Sequence, residues 1–484
     1  MKIVFICNFF LLISLQAFVA SKDVTTYEQI GDGFMSKIAV NEYSGGIHLS
    51  GNGKVIAIGS PASGENDEGE VKVYRSIGFG NLTTWELFGS WSGTAERQAQ
   101  GVSVSLSNNG YHLAIGSLME DKRGSVQIYT YRQKRESWEL FDTINGTNAL
   151  DQFGTKIDLS SGKGKILAIG SDPVTDAEYY PARPPYVKIY GCWKQQDEKC
   201  QEIENFNNTV YDQVALSADG NTVIVGSSSS DSNEGRVALY SRDDIALNYT
   251  KSDNFTTLMQ SLEPAENGIL GFAVAINSDA TTIAFSAPGE SCINPKNASQ
   301  TLELCGVVRI YSIDGGTFTQ LGGAITGRAD DYLLGKTIDF SNDGRTIIVS
   351  SSSKQTVAMS TIYSYNENSE WQKQGRIRGD HTFRGMERRI DGVISGNAGR
   401  VLFLSPGAST DVNVAKVYFQ RIGPPVENIC SNKPGYRLKR DSFPAKEKPS
   451  NKRCFWIEKR KVRQQRFCVN PEVAEGCKRS CGLC

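Results

Sequence analysis

The chain is expected to be all-β, a seven-bladed β-propeller closed by its own N-terminal strand and followed by a small disulfide-rich C-terminal domain. Three observations carry this expectation. One pattern of short strands recurs seven times, with turn residues Gly53, Gly110, Gly164, Gly220, Ala280, Gly344 and Gly399 lying 54 to 64 residues apart. The last copy lacks a fourth strand, whereas Tyr27 to Phe34 reads as a strand without a blade. Six cysteines crowd into the segment from Cys430 to Cys484.

The unit is plainest at Val102 to Ser117. There an alternating strand runs into the turn Ser107-Asn108-Asn109-Gly110, and an apolar strand then ends in Gly116-Ser117. A third strand, Gly124-Ser125-Val126-Gln127-Ile128-Tyr129, alternates with period two, and Ser137-Trp138-Glu139-Leu140-Phe141 is the fourth. Short alternating runs separated by Gly, Asn and Asp turns are a β signal. The string returns at Leu49 to Gly53, Leu159, Leu216 to Gly220, Ile276 to Ala280, Phe340 to Gly344 and, in degraded form, Ile394 to Gly399. Second strands such as Val55 to Ile58, Leu113 to Ile115 and Ile166 to Ile169 are continuously apolar, as strands covered on both faces must be.

Four strands at this period fit a propeller blade. A parallel solenoid uses shorter repeats, and a sandwich does not repeat its sequence. Seven is the expected count, with six or eight as the alternatives. Tyr27 to Phe34 is expected to pair with the last blade near Tyr418, removing an open sheet edge.

Phe153-Gly154, the Leu-Ser-x-Asp/Asn-Gly turns, the Ala-Ile-Gly-Ser strand ends and Gly-x-Val-x-Ile/Leu-Tyr are similar to FG-GAP and integrin-α-type propeller repeats. The resemblance covers roughly residues 27 to 422. It implies propeller architecture and a role in adhesion or ligand binding; fold alone does not define function. Calcium-binding repeats of that kind carry three acidic or amide oxygens at alternate loop positions, since Ca²⁺ takes six to eight oxygens. Asp219-Gly220 and Asp343-Gly344 have no such ladder and read as turn residues. Glu65-Asn66-Asp67-Glu68-Gly69 and Asp231-Ser232-Asn233-Glu234-Gly235 are the acidic loops that leave calcium open; no other cofactor is expected.

The chain ends set the expected compartment. Lys2, the apolar run Ile3 to Phe18 and the small residues Ala17, Ala20 and Ser21 form a three-part secretory signal, so residues 1–20 are expected to be removed. A membrane anchor needs about 20 apolar residues, and this core is shorter. Residues 21–426 are assigned to the propeller and 427–484 to the tail. Loss of Cys7 with the signal leaves ten cysteines: Cys192, Cys200, Cys292, Cys305, Cys430, Cys454, Cys468, Cys477, Cys481 and Cys484. An even set in an oxidising compartment reads as disulfides. Asn81, Asn145, Asn207, Asn248, Asn254 and Asn297 begin Asn-x-Ser/Thr sequons and are the candidate glycosylation sites.

A net charge of −1 conceals an asymmetry. Cys430 to Cys484 holds 15 Lys and Arg against 5 Asp and Glu, whereas the chain between Lys2 and the tail holds 36 against 48. Spacing alone allows 15 pairings of the six tail cysteines. The closing Cys477-Lys478-Arg479-Ser480-Cys481-Gly482-Leu483-Cys484 resembles the end of ShK-toxin-like (ShKT) domains. That resemblance implies Cys430–Cys484, Cys454–Cys477 and Cys468–Cys481. Channel-blocking members carry a Lys-aromatic pair between the third and fourth cysteines. Val469 to Gly476 has no Lys and two acids, which argues against blockade.

What remains in the tail is the basic set Lys452, Arg453, Lys459, Arg460, Lys461, Arg463 and Arg466, interleaved with Phe455 and Trp456. Such a patch attracts polyanions. The secretory route disfavours nucleic acid and leaves sulfated or carboxylated polysaccharide, mineral or silica surfaces and anionic lipid for the patch; the expected partners are an extracellular polyanion, a cell-wall or matrix component, or a protein ligand.

Nothing in the sequence selects a catalytic set. His48, His112 and His381 stand in non-equivalent places without paired acids, and the Gly-Ser pairs lack the Gly-x-Ser-x-Gly frame of a nucleophile elbow. The expectation is a secreted, non-enzymatic binding or adhesion protein with the tail as its anchor. The alternative is a secreted hydrolase or lyase acting on polysaccharide.

Overall fold

The structure, a computed structural model, describes residues 26–421 apart from 38–44, 79–82, 119–121, 163–164, 174–183, 193–198, 207–212, 228–234, 243–249, 252–267, 295–296, 329–332, 352–357, 380–390 and 407–411. It is an all-β, seven-bladed propeller. Blade 1 runs Ile47–Leu49, Val55–Ser60, Glu70–Ile77 and Thr84–Ser92, ordered from the axis outward, and blade 2 runs Ser103–Leu106, His112–Ser117, Ser125–Arg132 and Ser137–Asn145. Blades 3, 4, 5 and 6 open on the inner strands Lys156–Leu159, Gln213–Leu216, Val274–Ile276 and Thr337–Phe340. Each inner strand packs against the next around the axis, and blade 7 returns to blade 1.

The N-terminal strand closes the ring. Blade 7 takes its first three strands, Asp391–Ile394, Arg400–Pro406 and Val412–Arg421, from the end of the repeat region and its outermost strand, Thr26–Lys37, from the start. Tyr27 lies opposite Gln420, Ile30 opposite Val417 and Phe34 opposite Ala415, antiparallel. Ile30 is 5 % exposed and joins Leu402, Leu404 and Val417 against Ile56 and Ile58 of blade 1. One sheet thus joins Thr26–Lys37 to Val412–Arg421 and completes the last blade.

The recurring Leu-Ser-x-Asp/Asn-Gly string is a turn with its own staple. Ser50 Oγ donates to Asn52 Oδ1 (2.8 Å) and accepts from Val55 N–H (2.9 Å). Ser107, Ser217, Ser341 and Ser395 repeat both bonds in their own blades. These local bonds hold the chain in the turn between two strands. Blade 7 corrects the reading of its turn: counted from Ser395, the left-handed residue is Ala398 (φ 57°), and Gly399 donates its N–H to Asn397 Oδ1 (3.1 Å).

These turns form a closed circle at one end of the channel. Backbone N–H groups of Asn52, Asn108, Gly162, Ala218, Ser278, Asn342 and Gly396 donate in turn to the carbonyls of Asn108, Ser161, Ala218, Ser278, Asn342, Gly396 and Gly51, at 2.6 to 3.2 Å. The turn carbonyls therefore find partners in the neighbouring blade, as inward-facing backbone groups must. Second strands are buried beyond their first residue, and in Val55–Ser60 along the whole length, and they pack tightly on the adjoining blade. A Cβ at Gly116 would stand 2.2 Å from Gly154 O of blade 3, which accounts for Gly in Ala-Ile-Gly-Ser.

Candidate functional site

The inner strands of all seven blades enclose a central channel of about 260 Å³. One position in each inner strand faces the following blade: His48, Ser105, Asp158, Ala215, Ala275, Asp339 and Val393. Four of these side chains bridge to the next inner strand. Leu106 N–H donates to His48 Nδ1 (3.2 Å), Leu159 N–H to Ser105 Oγ (3.0 Å), Leu216 N–H to Asp158 Oδ2 (2.7 Å) and Ile394 N–H to Asp339 Oδ2 (2.8 Å). Four blade junctions are thus clamped by a side-chain acceptor, a device suited to a low-dielectric seam.

The junction from blade 7 to blade 1 carries Val393 and has no such clamp. Arg400 serves there instead. Its guanidinium donates to Gly53 O (2.6 Å) and lies 5.6 Å from the centre of the Trp85 ring. Phe34 of the N-terminal strand packs on Tyr74 and edge-on to Trp85. On the rim, Trp138 Nε1 donates to Phe88 O (3.0 Å) and Trp371 Nε1 to Leu321 O (2.7 Å), each tying one blade to its predecessor.

Burial sets the protonation of the channel groups. His48, Asp158 and Asp339 are half-buried and line the central channel. Loss of hydration pushes the Asp158 carboxyl up to about 7, against the hydrogen bonds that favour its ionised form. The Asp339 carboxyl rises to about 7 for the same reason, with repulsion from Asp158 and Asp391 added. His48 is pushed down to about 4 by burial, which keeps Nδ1 free to accept. His112 falls to about 4 through burial and the nearby Arg132; its Nδ1 lies 3.2 Å from Thr130 Oγ1. His48 thus accepts across a blade junction, and His112 stands against a hydroxyl of its own blade. His381 lies outside the described residues.

The acidic turn residues have work of their own. Asp219 Oδ1 accepts from Ser217 Oγ (2.6 Å) and Asn221 N–H (2.9 Å), and Asp343 Oδ1 from Ser341 Oγ (2.6 Å) and Arg345 N–H (3.0 Å). In Glu65 to Gly69, Glu68 accepts from the backbone and side-chain N–H groups of Asn66 (3.1 and 3.2 Å). Among the described residues no group of three or more His, Cys, Asp or Glu side chains is placed to hold a metal ion. Residues 231–234 lie outside the description.

Antiparallel strands bring the loops after second strands, and those between blades, to the channel end opposite the circle of turns. Blade 5 adds a hairpin there, Cys292–Ile293 against Thr301–Leu302, between its strands Thr282–Ala287 and Val307–Asp314. Cys292 is bonded to Cys305, and Glu290 makes a two-pronged ion pair with Arg309 at 2.5 and 2.7 Å. The excursion displays Ile293 (65 % exposed) and Leu304 (50 % exposed). Nothing in the repeat requires this insertion.

Asn297, at the tip of the hairpin, is exposed, as is Asn145 at the end of the fourth strand of blade 2. Cys192 is bonded to Cys200 across the outer half of blade 3. Asn81, Asn207, Asn248 and Asn254, the six tail cysteines and the basic set from Lys452 to Arg466 lie outside the described residues. The inter-blade acceptors were missed in the sequence, where their one signal is a polar residue between apolar neighbours in an inner strand.

No protein-family profile matches the chain, and no curated protein matches it by sequence. Solved structures similar to it include a periplasmic gluconolactonase of Pseudomonas aeruginosa, at 12 % identity over 77 % of this chain and 99 % of that one, TM-score 0.45. Saccharomyces cerevisiae Sqt1 follows at 11 % identity over 82 % and 100 %, TM-score 0.44, and Kuenenia stuttgartiensis hydrazine synthase at 12 % over 80 % and 97 %, TM-score 0.46. These likenesses are of overall architecture and carry nothing about chemistry; what the chain itself displays is a seven-bladed β-propeller.

Proposed function

We propose that this is a secreted, non-enzymatic binding or adhesion protein, with the propeller as interaction scaffold and the basic tail as its anchor to anionic extracellular surfaces. The observation that carries the reading is the use made of the channel groups. His48, Asp158 and Asp339 direct acceptors to backbone N–H groups of neighbouring blades, so the channel is a structural seam. Recognition then falls to the loops, where the stapled hairpin of blade 5 departs from the repeat. Two disulfides fit an oxidising compartment, and among the described residues no helix is long and apolar enough to cross a membrane.

The blades are read as FG-GAP and integrin-α-like repeats. The pairing of Gly124 with Phe153, the residue before Gly154, supports this, because it explains two of the motifs together. The tail is read as a ShKT-like module with Cys430–Cys484, Cys454–Cys477 and Cys468–Cys481, and Asn145 and Asn297 as glycosylated.

Retention of the full-length protein on immobilised sulfated polysaccharide tests the anchor. Retention is expected near 0.15 M salt, with release by roughly 1 M, where the screening length falls to about 3 Å. Changing Lys452, Arg453, Lys459, Arg460, Lys461, Arg463 and Arg466 together to Gln should abolish retention. A variant held as firmly as the parent contradicts the anchor, and turnover of the polysaccharide contradicts the non-enzymatic reading.

A further inference from the structure

Blade 7 meets blade 1 with hydrogen-bonding groups left over. Asn413 is wholly buried, and among the described residues neither its Oδ1 nor its Nδ2 finds a hydrogen-bond partner. Trp85, in the fourth strand of blade 1, buries an Nε1 that is likewise unbonded. Other blades treat both places differently. Trp138 and Trp371 stand where Trp85 does in their own fourth strands, and each donates Nε1 to a carbonyl of the preceding blade. For Trp138 that carbonyl is Phe88 O, on a one-residue bulge between the Val73–Gly89 and Tyr74–Leu87 pairs. The blade before Trp85 is blade 7, whose outer strand bulges over Gly31, Asp32 and Gly33, between the Ile30–Val417 and Phe34–Ala415 pairs. The wider bulge re-aims the backbone, and Trp85 is left without a carbonyl. Asn413 lies five residues before Tyr418, the interval that separates Gly69, Gly124, Gly235 and Gly306 from Tyr74, Tyr129, Tyr240 and Tyr311. Those glycines admit the backbone of the next blade, and blade 7 carries an amide side chain in their place.

A buried donor or acceptor without a partner has lost its hydration, and water that reaches it restores what was lost. Here the inner strand brings Val393, which cannot accept. The ties that remain are the packing of Leu402, Leu404 and Val417 on Ile56 and Ile58, the Arg400 bond to Gly53 O and the Gly396 bond to Gly51 O. We propose that the ring parts first at this junction, blade 7 moving off blade 1 with Thr26–Lys37 and Val412–Arg421 still paired, so that water reaches the Asn413 amide and the Trp85 indole N–H. The junctions on either side are better tied. Blade 6 holds blade 7 through Asp339 and Thr337, and blade 1 holds blade 2 through His48 and Trp138. Ser117 of blade 2 and Thr155 at the head of blade 3 each bury one unbonded hydroxyl. Those two blades, however, are joined by the Ser105 clamp and by Ser103 Oγ, which donates to Gly154 O (2.6 Å). Tyr27, whose hydroxyl is also unbonded, packs toward blade 6.

The circle of turns supplies one reporter amide for each junction: Asn52, Asn108, Gly162, Ala218, Ser278, Asn342 and, between blades 7 and 1, Gly396. Hydrogen exchange of the full-length protein, resolved to these amides and corrected for intrinsic rates, tests the order of opening. Gly396 should be the least protected, by about fivefold or more. Trp85→Phe keeps an aromatic ring and removes the N–H, and Asn413→Leu keeps the volume and removes both polar atoms. Each should raise the protection of Gly396 by about fivefold or more and leave Asn108 and Ala218 unchanged. Trp138→Phe removes a donor that is satisfied, so it should instead lower the protection of Asn52, between blades 1 and 2. Gly396 protected as well as its six counterparts overturns the proposal, and so does a Gly396 rate that neither Trp85→Phe nor Asn413→Leu slows. The ranking of the seven amides is read on the unsubstituted protein, so a variant that fails to fold still leaves a decisive result.

Discussion

Replacing Ile30 with Asp should abolish the cooperative thermal transition of the propeller, while Gln29→Asp, one residue away on the same strand, should leave it in place. Ile30 is 5 % exposed and packs on Leu402, Leu404 and Val417 of its own blade and on Ile56 and Ile58 of blade 1. An aspartate there would bury a charge among aliphatic side chains with no partner, a loss of about 4 kcal/mol or more. That is a large part of the stability of a typical domain. Gln29 is exposed, so a carboxylate there meets water. The effect should exceed that of an ordinary core substitution, because this strand supplies the outermost strand of the blade that closes the ring. If Ile30→Asp melts within a few degrees of the parent, the N-terminal segment does not close the propeller.

Gly124→Ala should be nearly as damaging, although it adds a single methyl group. Gly124 has φ +84°, and a Cβ there would lie 2.0 Å from Phe153 O and 2.5 Å from Phe153 N. Both obstacles are backbone. Neither can turn aside without parting the strand-like contact between the loop that enters the third strand of blade 2 and the segment leading into blade 3. Gly69 with Gln100, Gly235 with Leu270 and Gly306 with Leu334 meet in the same way. A left-handed conformation forced on alanine costs about 1 kcal/mol, and a clash that displaces backbone costs about 3 kcal/mol more. Gly315 provides the comparison: its φ is +53° and nothing stands within 4 Å of its missing Cβ. Gly315→Ala should cost about 1 kcal/mol and no more. Equal urea midpoints for the two variants would show that close approach is not what keeps glycine at position 124.

Much of this architecture was legible because the repeat writes the same physical requirement seven times. Alternating strands, a Ser-stapled turn and an apolar second strand each leave a mark within a dozen residues of sequence. The ring closure was legible for a different reason, since Tyr27 to Phe34 and the truncated last unit each lacked what the other had. The clamps were not legible, because acceptor and donor are far apart in the chain. His48 and Leu106 are 58 residues apart, as are Asp158 and Leu216, and no local pattern couples them. Arg400 is still further from Gly53, 347 residues away. The turn of blade 7 was placed one residue late because Gly399 draws attention as a turn former, while the register is set by Ser395 and leaves Ala398 in the left-handed position. The hairpin of blade 5 shows in sequence as a longer gap between strands, and its cysteines alone do not say which pair.

Hydrogen exchange on the amides of Thr26–Lys37 measures ring closure most directly. These residues pair along Val412–Arg421, so both strands should be protected together and released in one opening event. Exchange of Thr26–Lys37 within seconds, while Val412–Arg421 stays protected, would contradict a propeller whose last blade takes its outermost strand from the start of the repeat region.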